Sequence, residues 1–504
     1  MKRSAIIRTA IVVGVIVLAE FACRWGLISR HTLVPPSEMV IRLVALMQHD
    51  EFWTQVVFTA SNIVIAFAAG TLGGFVIGVI LHRSPRARRA LEPMIASYYA
   101  LPFFVLYPLF IVLFGMNAVP IICMGFLYSV MAMITGTLTG LDRVPRVFVK
   151  VGQTCRLGPI QEAWYIQLPA AAPYIFTGAK LALGYSITGV IGSEFILSTH
   201  GVGYAIAFAY NDFDDSTMYA LLVFVFAAVA ILTLILHAAE QRVQYRARPG
   251  ATERSSGTIK LFDRVLGVAI VALVIFVVWQ LLYDEVGREA LASPAMAFAK
   301  IGVLFSRPEF WGNVAETMRA LGLSLGLSCV AGALVGVILG LHKPTRAVLE
   351  PLFIAFYAMP KVTLYPMILL FFGIGLSAKV AFGAIYGMIP MILITLNAIA
   401  NMNPSLHRTG QVMRLNRTQM LTTIILPATV PEMVSGVRIS FSITLLGVMI
   451  GEMFASQRGL GFMIMNSMGV NDTPTMMAVT VLIGIFALTI NGALMVLDAR
   501  FHRN

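Results

Sequence analysis

Charge is scarce in this sequence. Asp, Glu, Lys and Arg make up 12% of its 504 residues, about half of the roughly 25% usual in soluble chains. That shortage argues against an ordinary water-soluble domain. Cysteine is nearly absent, and Cys23, Cys123, Cys155 and Cys329 show neither CxxC spacing nor a pairing logic. No disulfide frame and no metal site is therefore expected. A G-x-x-x-x-G-K-[ST] phosphate loop is missing, so any nucleotide belongs on another chain. No cluster of His, Asp or Cys has a recognisable catalytic spacing, and no catalytic residue is expected. The formal charge of +12 raises the question of nucleic acid, but no basic stripe has the interleaved aromatics such a surface needs.

What is present in quantity is apolar sequence, 58% of the chain, with a mean hydropathy of +0.84. Apolar runs long enough to cross about 30 Å of hydrocarbon recur throughout. They fall at about 5–23, 56–81, 94–114, 118–140, 174–197 and 218–238, then at about 265–283, 314–341, 352–373, 380–400, 432–455 and 476–497. The start, Lys2 and Arg3 before an apolar run, resembles a signal peptide. The run continues to Cys23 without a small-x-small cleavage site, so a retained first span is expected.

The two sets of six are copies of one unit. Landmarks recur 258 residues apart, as from Pro102 to Pro360. Trp53 pairs with Trp311, Glu92-Pro93 with Glu350-Pro351, Tyr107-Pro108 with Tyr365-Pro366, and Gly115 with Gly373. In the same register Gly152-Gln153 meets Gly410-Gln411, Arg156-Leu157 meets Arg414-Leu415, and Leu168-Pro169 meets Leu426-Pro427. Glu194, Gly201 and Gly203 meet Glu452, Gly459 and Gly461. Six spans is an even number, so the copies share one orientation and form a parallel repeat. The expectation is an all-α membrane protein of about 12 transmembrane helices in two tandem six-helix repeats. Residues 1–242 form the first repeat, 243–264 a basic cytoplasmic linker, and 265–504 the second.

The positive-inside rule sets the orientation. With both termini cytoplasmic, most Lys and Arg fall on that side, while the loop 198–217 has neither and carries Asp212, Asp214 and Asp215. The second span of each half is glycine-spaced, at Gly70, Gly74 and Gly78 and at Gly322, Gly326, Gly332, Gly336 and Gly340. Four-residue spacing predicts close helix packing along one face.

A polar, basic loop of roughly 30 residues follows the fourth span of each half and ends in Leu-Pro, long for a compact membrane domain. Pro173 and Pro431 are expected at the start of the next helix, where a missing N–H costs nothing. This pattern resembles the cytoplasmic coupling (EAA) loop of ABC importer permeases of the nitrate, sulfonate and taurine group. The resemblance rests on Gln161 and Ile166-Gln167-Leu168-Pro169-Ala170-Ala171-Ala172-Pro173, on Gly192-Ser193-Glu194 with Gly201-Val202-Gly203-Tyr204, and on Gly451-Glu452 with Gly459-Leu460-Gly461. Two departures stand out. Lys150 and Arg408 replace the leading glutamate of the family motif, and Arg156 and Arg414 fall near its usual glycine.

The resemblance implies a fused permease. Its coupling residues would be Lys150, Gly152, Gln153, Arg156, Leu157, Gly158 and Gln161, with Arg408, Gly410, Gln411, Arg414, Leu415, Asn416 and Gln419. It also implies two copies of an ABC ATPase holding ATP and Mg, an extracytoplasmic substrate-binding protein, the bacterial inner membrane as location, and a small polar or anionic solute as cargo.

Ionisable residues inside spans are functional candidates because their burial is costly. Glu194 and Glu452 read as either gate residues or structural carboxylates bonded between helices. Lys180 and Arg438 read as snorkelling side chains. Lys361 stands where the first half has Phe103, so duplication is broken there; it reads as an attractor for an anion or as an interfacial anchor. Tyr107 and Tyr365 complete the pathway candidates, and the aromatic and proline clusters around Pro102 and Pro360 read as either a bend in the third spans or plain packing. A major-facilitator type carrier, also 6+6, is the alternative, with Glu194 or Glu452 as proton carrier. The repeated long loop argues against it.

Overall fold

In the computed structural model, residues 2–246, 261–287 and 291–501 are described. Most of the expected linker lies outside them. The described residues contain helices and no strand. The first half runs through α1 (Lys2–Arg24), α2 (Pro36–Leu46), α3 (Asp50–Arg83), α4 (Pro85–Ser97), α5 (Tyr107–Phe114) and α6 (Ala118–Asp142). It continues with α7 (Arg146–Thr154), α8 (Pro159–Glu162), α9 (Leu168–Ile196), α10 (Val202–Asn211) and α11 (Asp215–Arg246). The second half repeats the order as α12 (Leu261–Val286), α13 (Pro294–Phe305), α14 (Pro308–Leu341), α15 (Lys343–Ala358), α16 (Tyr365–Phe372) and α17 (Leu376–Ala400). It ends with α18 (Pro404–Val412), α19 (Arg417–Gln419), α20 (Leu426–Phe454), α21 (Leu460–Gly469) and α22 (Thr473–Phe501).

Nine described helices are long and apolar enough to cross a membrane, and counting the bent pairs α4–α5 and α15–α16 as spans makes eleven. The helix α12 covers the remaining expected segment. The third span of each half is thus not a single rod. It turns by 90° in the first half and 92° in the second. The cause is Pro102 and its counterpart Pro360: each lacks an N–H and keeps the preceding residue extended, with Leu101 at ψ 125° and Met359 at ψ 145°.

Each half is built around its fourth span. In the first half α6 lies between α3 and α9, and in the second α17 lies between α14 and α20. Gly74 and Gly78 bring α3 onto α6 so closely that an added Cβ would meet Val130, Met133 and Thr137; Gly332 and Gly336 do the same for α14 against Met391 and Thr395. Gly322 and Gly326 have open space around them. They lie off the packed stripe, which runs through Thr317, Ser324 and Ser328 to Gly332 and Gly336. The halves also exchange contacts: α12 packs on α4, and α1 packs on α15. The loop 198–217, after the fifth span, contains α10.

Candidate functional site

The loop after the fourth span folds into the same compact knob in both halves. In the first, α7 ends with Leu157 N–H donating to Gly152 O at 3.1 Å and with Arg156 at φ 52°. In the second, Leu415 N–H donates to Gly410 O at 3.0 Å and Arg414 has φ 51°. This six-to-one closure requires a left-handed residue, normally glycine. In both halves an arginine occupies this left-handed position. Gly152 packs where a Cβ would meet Ile166 and Glu162, and Gly410 where it would meet Met420 and Ile424.

Small helices restart the chain with matching caps. Gly158 N–H donates to Gln161 Oε1 at 3.0 Å; Asn416 N–H donates to Gln419 Oε1 at 3.0 Å, and Gln419 N–H returns a bond to Asn416 Oδ1 at 2.8 Å. Gln161, Asn416 and Gln419 thus have a local structural role. Lys150, Arg156, Arg408, Gln411 and Arg414 are exposed, Leu157 and Leu415 are half-buried, and the side chain of Gln153 lies outside the described residues. The knobs also expose apolar side chains: Phe148, Val151 and Trp164 in the first, Leu406, Val412 and Met413 in the second.

Behind each knob the backbone widens into a π turn, Ala163–Gln167 and Met420–Ile425. The fifth span follows, with Pro169 and Pro427 in its first turn. Pro173 and Pro431 lie inside the helix instead of at its start. The π turn continues directly into α9 and α20, so each helix begins five residues before that proline. Lys180 and Arg438 do not snorkel. Lys180 Nζ lies 2.7 Å from Glu240 Oε2, and Arg438 Nε 3.6 Å from Asp498 Oδ2. An acidic partner one helix away, at the same place in both halves, holds each cation in place.

At the other end of the fifth spans, Glu194 and Glu452 are 1% exposed. Glu194 Oε2 accepts from the Thr59 hydroxyl at 2.8 Å and from Gly203 N–H at 3.1 Å, while the Thr59 hydroxyl accepts from Val202 N–H at 2.8 Å. Glu452 repeats this with Thr317 at 2.9 Å, Gly461 N–H at 3.0 Å, and Leu460 N–H on Thr317 at 2.9 Å. Gly201 and Gly459 have positive φ, 106° and 123°, and a Cβ on either would enter the carboxylate. The two carboxylates therefore clasp α9 to α10 and α20 to α21. Beside them the halves meet through Phe195 and Phe454, stacked with centroids 4.2 Å apart.

Around this duplicated frame the halves differ. Lys379, where the first half has Ile121, is 2% exposed; its Nζ donates to Glu316 Oε1 at 3.0 Å and to Arg458 O at 2.8 Å. The first half instead has a cavity of about 270 Å³ bounded by Phe58, Tyr107, Leu197 and His200. Tyr107 and Tyr365 are buried and tied to the fifth spans, donating to Leu197 O at 2.5 Å and Gly451 O at 2.9 Å. Phe103 rests on Tyr128, with ring centroids 5.9 Å apart. Lys361 is no interfacial anchor: it is 6% exposed and lies over the rings of Tyr357 and Tyr386. Sequence reading missed Thr59, Thr317, Tyr128, Tyr386 and Lys379. The first four were visible as repeat-matched pairs; Lys379 stood just before the expected span 380–400 and falls inside the helix Leu376–Ala400.

Comparison with known proteins agrees with this architecture. The family of binding-protein-dependent transport system inner membrane components matches twice, at residues 70–248 and 329–504. The taurine transport system permease protein TauC of Escherichia coli (strain K12) is 26% identical over 228 residues, 44% of this chain and 82% of that protein. The putative aliphatic sulfonates transport permease protein SsuC of Bacillus subtilis (strain 168) is 26% identical over 202 residues, 40% of this chain and 73% of its own length. The nitrate import permease protein NrtB of Leptolyngbya laminosa is 24% identical over 187 residues, 37% of this chain and 65% of its own. Each relative aligns with less than half of the chain, as expected when one chain carries two units. With its two packed repeats and their paired knobs, this multi-pass membrane protein belongs to the family of inner-membrane components of binding-protein-dependent transport systems.

Proposed function

We propose that the chain is the fused permease of an ATP-driven importer, with residues 1–242 and 265–504 each serving as one permease and 243–264 as their cytoplasmic linker. Both termini lie in the cytoplasm of a bacterium and the chain spans its inner membrane. Two copies of an ABC ATPase dock on the knobs and supply ATP and Mg; an extracytoplasmic binding protein delivers a small polar or anionic solute. The chain itself catalyses no reaction.

The observation that carries this reading is the duplicated knob with its outward apolar and basic residues. A solvated connector has no reason to expose Trp164 or Val412 at 66% and 83%; a surface that docks into another protein does. Lys150, Arg156, Arg408 and Arg414 ring those apolar residues with positive charge, suiting an ATPase cleft with acidic positions. Glu194 and Glu452, with the Phe195–Phe454 stack, form the external closure that ATPase movement opens. An ion-coupled carrier would have no use for paired docking knobs.

Co-purification tests the reading. The wild-type chain retains the ATPase, while Arg156→Glu with Arg414→Glu releases it or abolishes uptake. Retained ATPase and undiminished ATP-dependent uptake in that variant would remove these arginines from the docking surface. Solute accumulation driven by an ion gradient without ATP would overturn the whole assignment.

A further inference from the structure

Lys361 is buried in the second half with one hydrogen bond, from Nζ to Tyr357 O at 3.0 Å. An ammonium has three donors to satisfy. Its Nζ stands 4.8 Å and 5.3 Å from the ring centroids of Tyr357 and Tyr386, which ease the charge but do not neutralise it. Among the described residues no carboxylate is within ion-pair distance, although every other deeply buried cation here has one: Lys379 has Glu316. Two hydroxyls nearby are in the same condition. Those of Tyr386 and of its counterpart Tyr128 are buried and find no hydrogen-bond acceptor.

These donors come from both halves. Tyr128 belongs to α6 and Tyr386 to α17, and both lie in one buried cluster with Val362, the neighbour of Lys361. The short turn carrying Lys361 packs on α9 of the first half. One cation and two tyrosine hydroxyls, all buried and short of acceptors, thus converge where the repeats meet. A buried charge without a counter-ion is unfavourable, and a ligand that brings the missing acceptors would relieve it.

We propose that Lys361, Tyr128 and Tyr386 form a binding point for a single oxyanion group, a sulfonate, carboxylate or nitrate, in the path between the halves. Phe103 at the matching position limits the site to one negative group. The proposal rests on the importer reading for the direction of travel, but the binding itself does not need the ATPase.

The test uses the full purified chain in nanodiscs, with methanesulfonate as probe and dimethyl sulfone as its neutral counterpart. Methanesulfonate is expected to raise the unfolding temperature of the wild type in a saturable way, and dimethyl sulfone is not. Lys361→Met abolishes the shift. Tyr386→Phe, which keeps the packing, weakens the fitted affinity about ten-fold, in line with the loss of one hydrogen bond to a charged group. Should Lys361→Met prove unstable, Lys361→Arg and Tyr386→Phe carry the comparison, with binding retained in the first and weakened in the second. An equal shift with dimethyl sulfone, or unchanged methanesulfonate binding in Lys361→Met or Tyr386→Phe, overturns the site. No methanesulfonate shift in the wild type while its ATP-driven uptake persists would sink the site and leave the importer standing. Binding that persists in a protein driven by an ion gradient would do the reverse.

Discussion

The hydroxyls of Ser129 and Ser328 serve the same place in the two halves although they come from opposite helices. Ser129 lies on α6 and donates to Phe126 O at 3.1 Å; Ser328 lies on α14 and donates across to Ala384 O at 3.0 Å, and Ala384 is the counterpart of Phe126. The facing position is a glycine each time, Gly70 against Ser129 and Gly387 against Ser328. One side chain fits between these helices, and each half has placed it on a different helix.

A swap experiment follows from this pairing. Gly70→Ser puts a second hydroxymethyl against Ser129 and should cost about 1–3 kcal/mol, the usual penalty for overpacking. Adding Ser129→Gly recreates the second-half arrangement and should recover most of the loss. Thermal unfolding of the purified variants in one detergent decides it: a double variant no better than Gly70→Ser would refute the pairing.

The left-handed arginines give a second prediction. A residue with a Cβ pays roughly 1 kcal/mol or more at positive φ, so Arg156→Gly and Arg414→Gly should each firm the end of their knob helix. Hydrogen exchange over 146–162 and 404–419 should slow in these variants. ATPase affinity should fall at the same time, because the docking charge is gone. Faster exchange would mean that the arginine side chains hold the knobs together.

The glutamate clasp is sensitive to its glycine. Gly459→Ala places a methyl group in the Glu452 carboxylate at a backbone angle of 123°, and a loss of about 2 kcal/mol or more is expected. Glu452→Gln keeps an oxygen for Gly461 N–H and Thr317 and should cost about 1 kcal/mol or less. Unfolding midpoints that rank these two variants in the opposite order would remove the clasp as a structural element.

Lys379 offers a test of the difference between halves. Lys379→Ile alone strands Glu316 and the Arg458 carbonyl, at about 2–3 kcal/mol because Glu316 remains partly solvated. Adding Glu316→Phe restores the first-half pair Ile121 and Phe58 and should return most of that stability. Equal stability of Lys379→Ile and the double variant would show that the ion pair carries no net weight.

In the turn before the last span, Asp472 predicts an acid limit. Partial burial pushes its carboxyl up, but bonds from the Thr475 hydroxyl and amide, with Lys300 beside it, outweigh that and hold it below the usual carboxylate range. Asp214 is held low in the same way by Thr217 and Arg42. A depressed carboxyl stabilises the fold above its unfolded value of about 3.9 and loses that contribution as pH falls through the folded value. Asp472→Asn should therefore lower the unfolding temperature at pH 6 and make little difference well below pH 3. A constant difference across that range would count against the linkage.

The repeat, the succession of apolar spans, the prolines at which the third spans turn and the long loop after each fourth span were all legible in the sequence. Each is announced by a local property: a run of apolar residues, a proline without an N–H, or a rare residue recurring in one register. The side-chain partners were harder to read. Thr59 and Glu194 lie 135 residues apart, and nothing in either neighbourhood names the other. Lys180 looked like a snorkelling residue because Glu240, 60 residues away, is brought to it only when α11 packs on α9.

Chain composition and periodicity were enough to establish a membrane protein of two parallel halves, since hydrophobic length and duplicated order depend on residues along one line. Which glycines pack, which charges are paired and which cation is left without an acid depended on the folded chain. Those outcomes arise from helix faces meeting across long separations, where a shift of one residue turns a side chain away from its partner. Gly322 and Gly332 have similar sequence settings, yet one faces open space and the other presses on Met391.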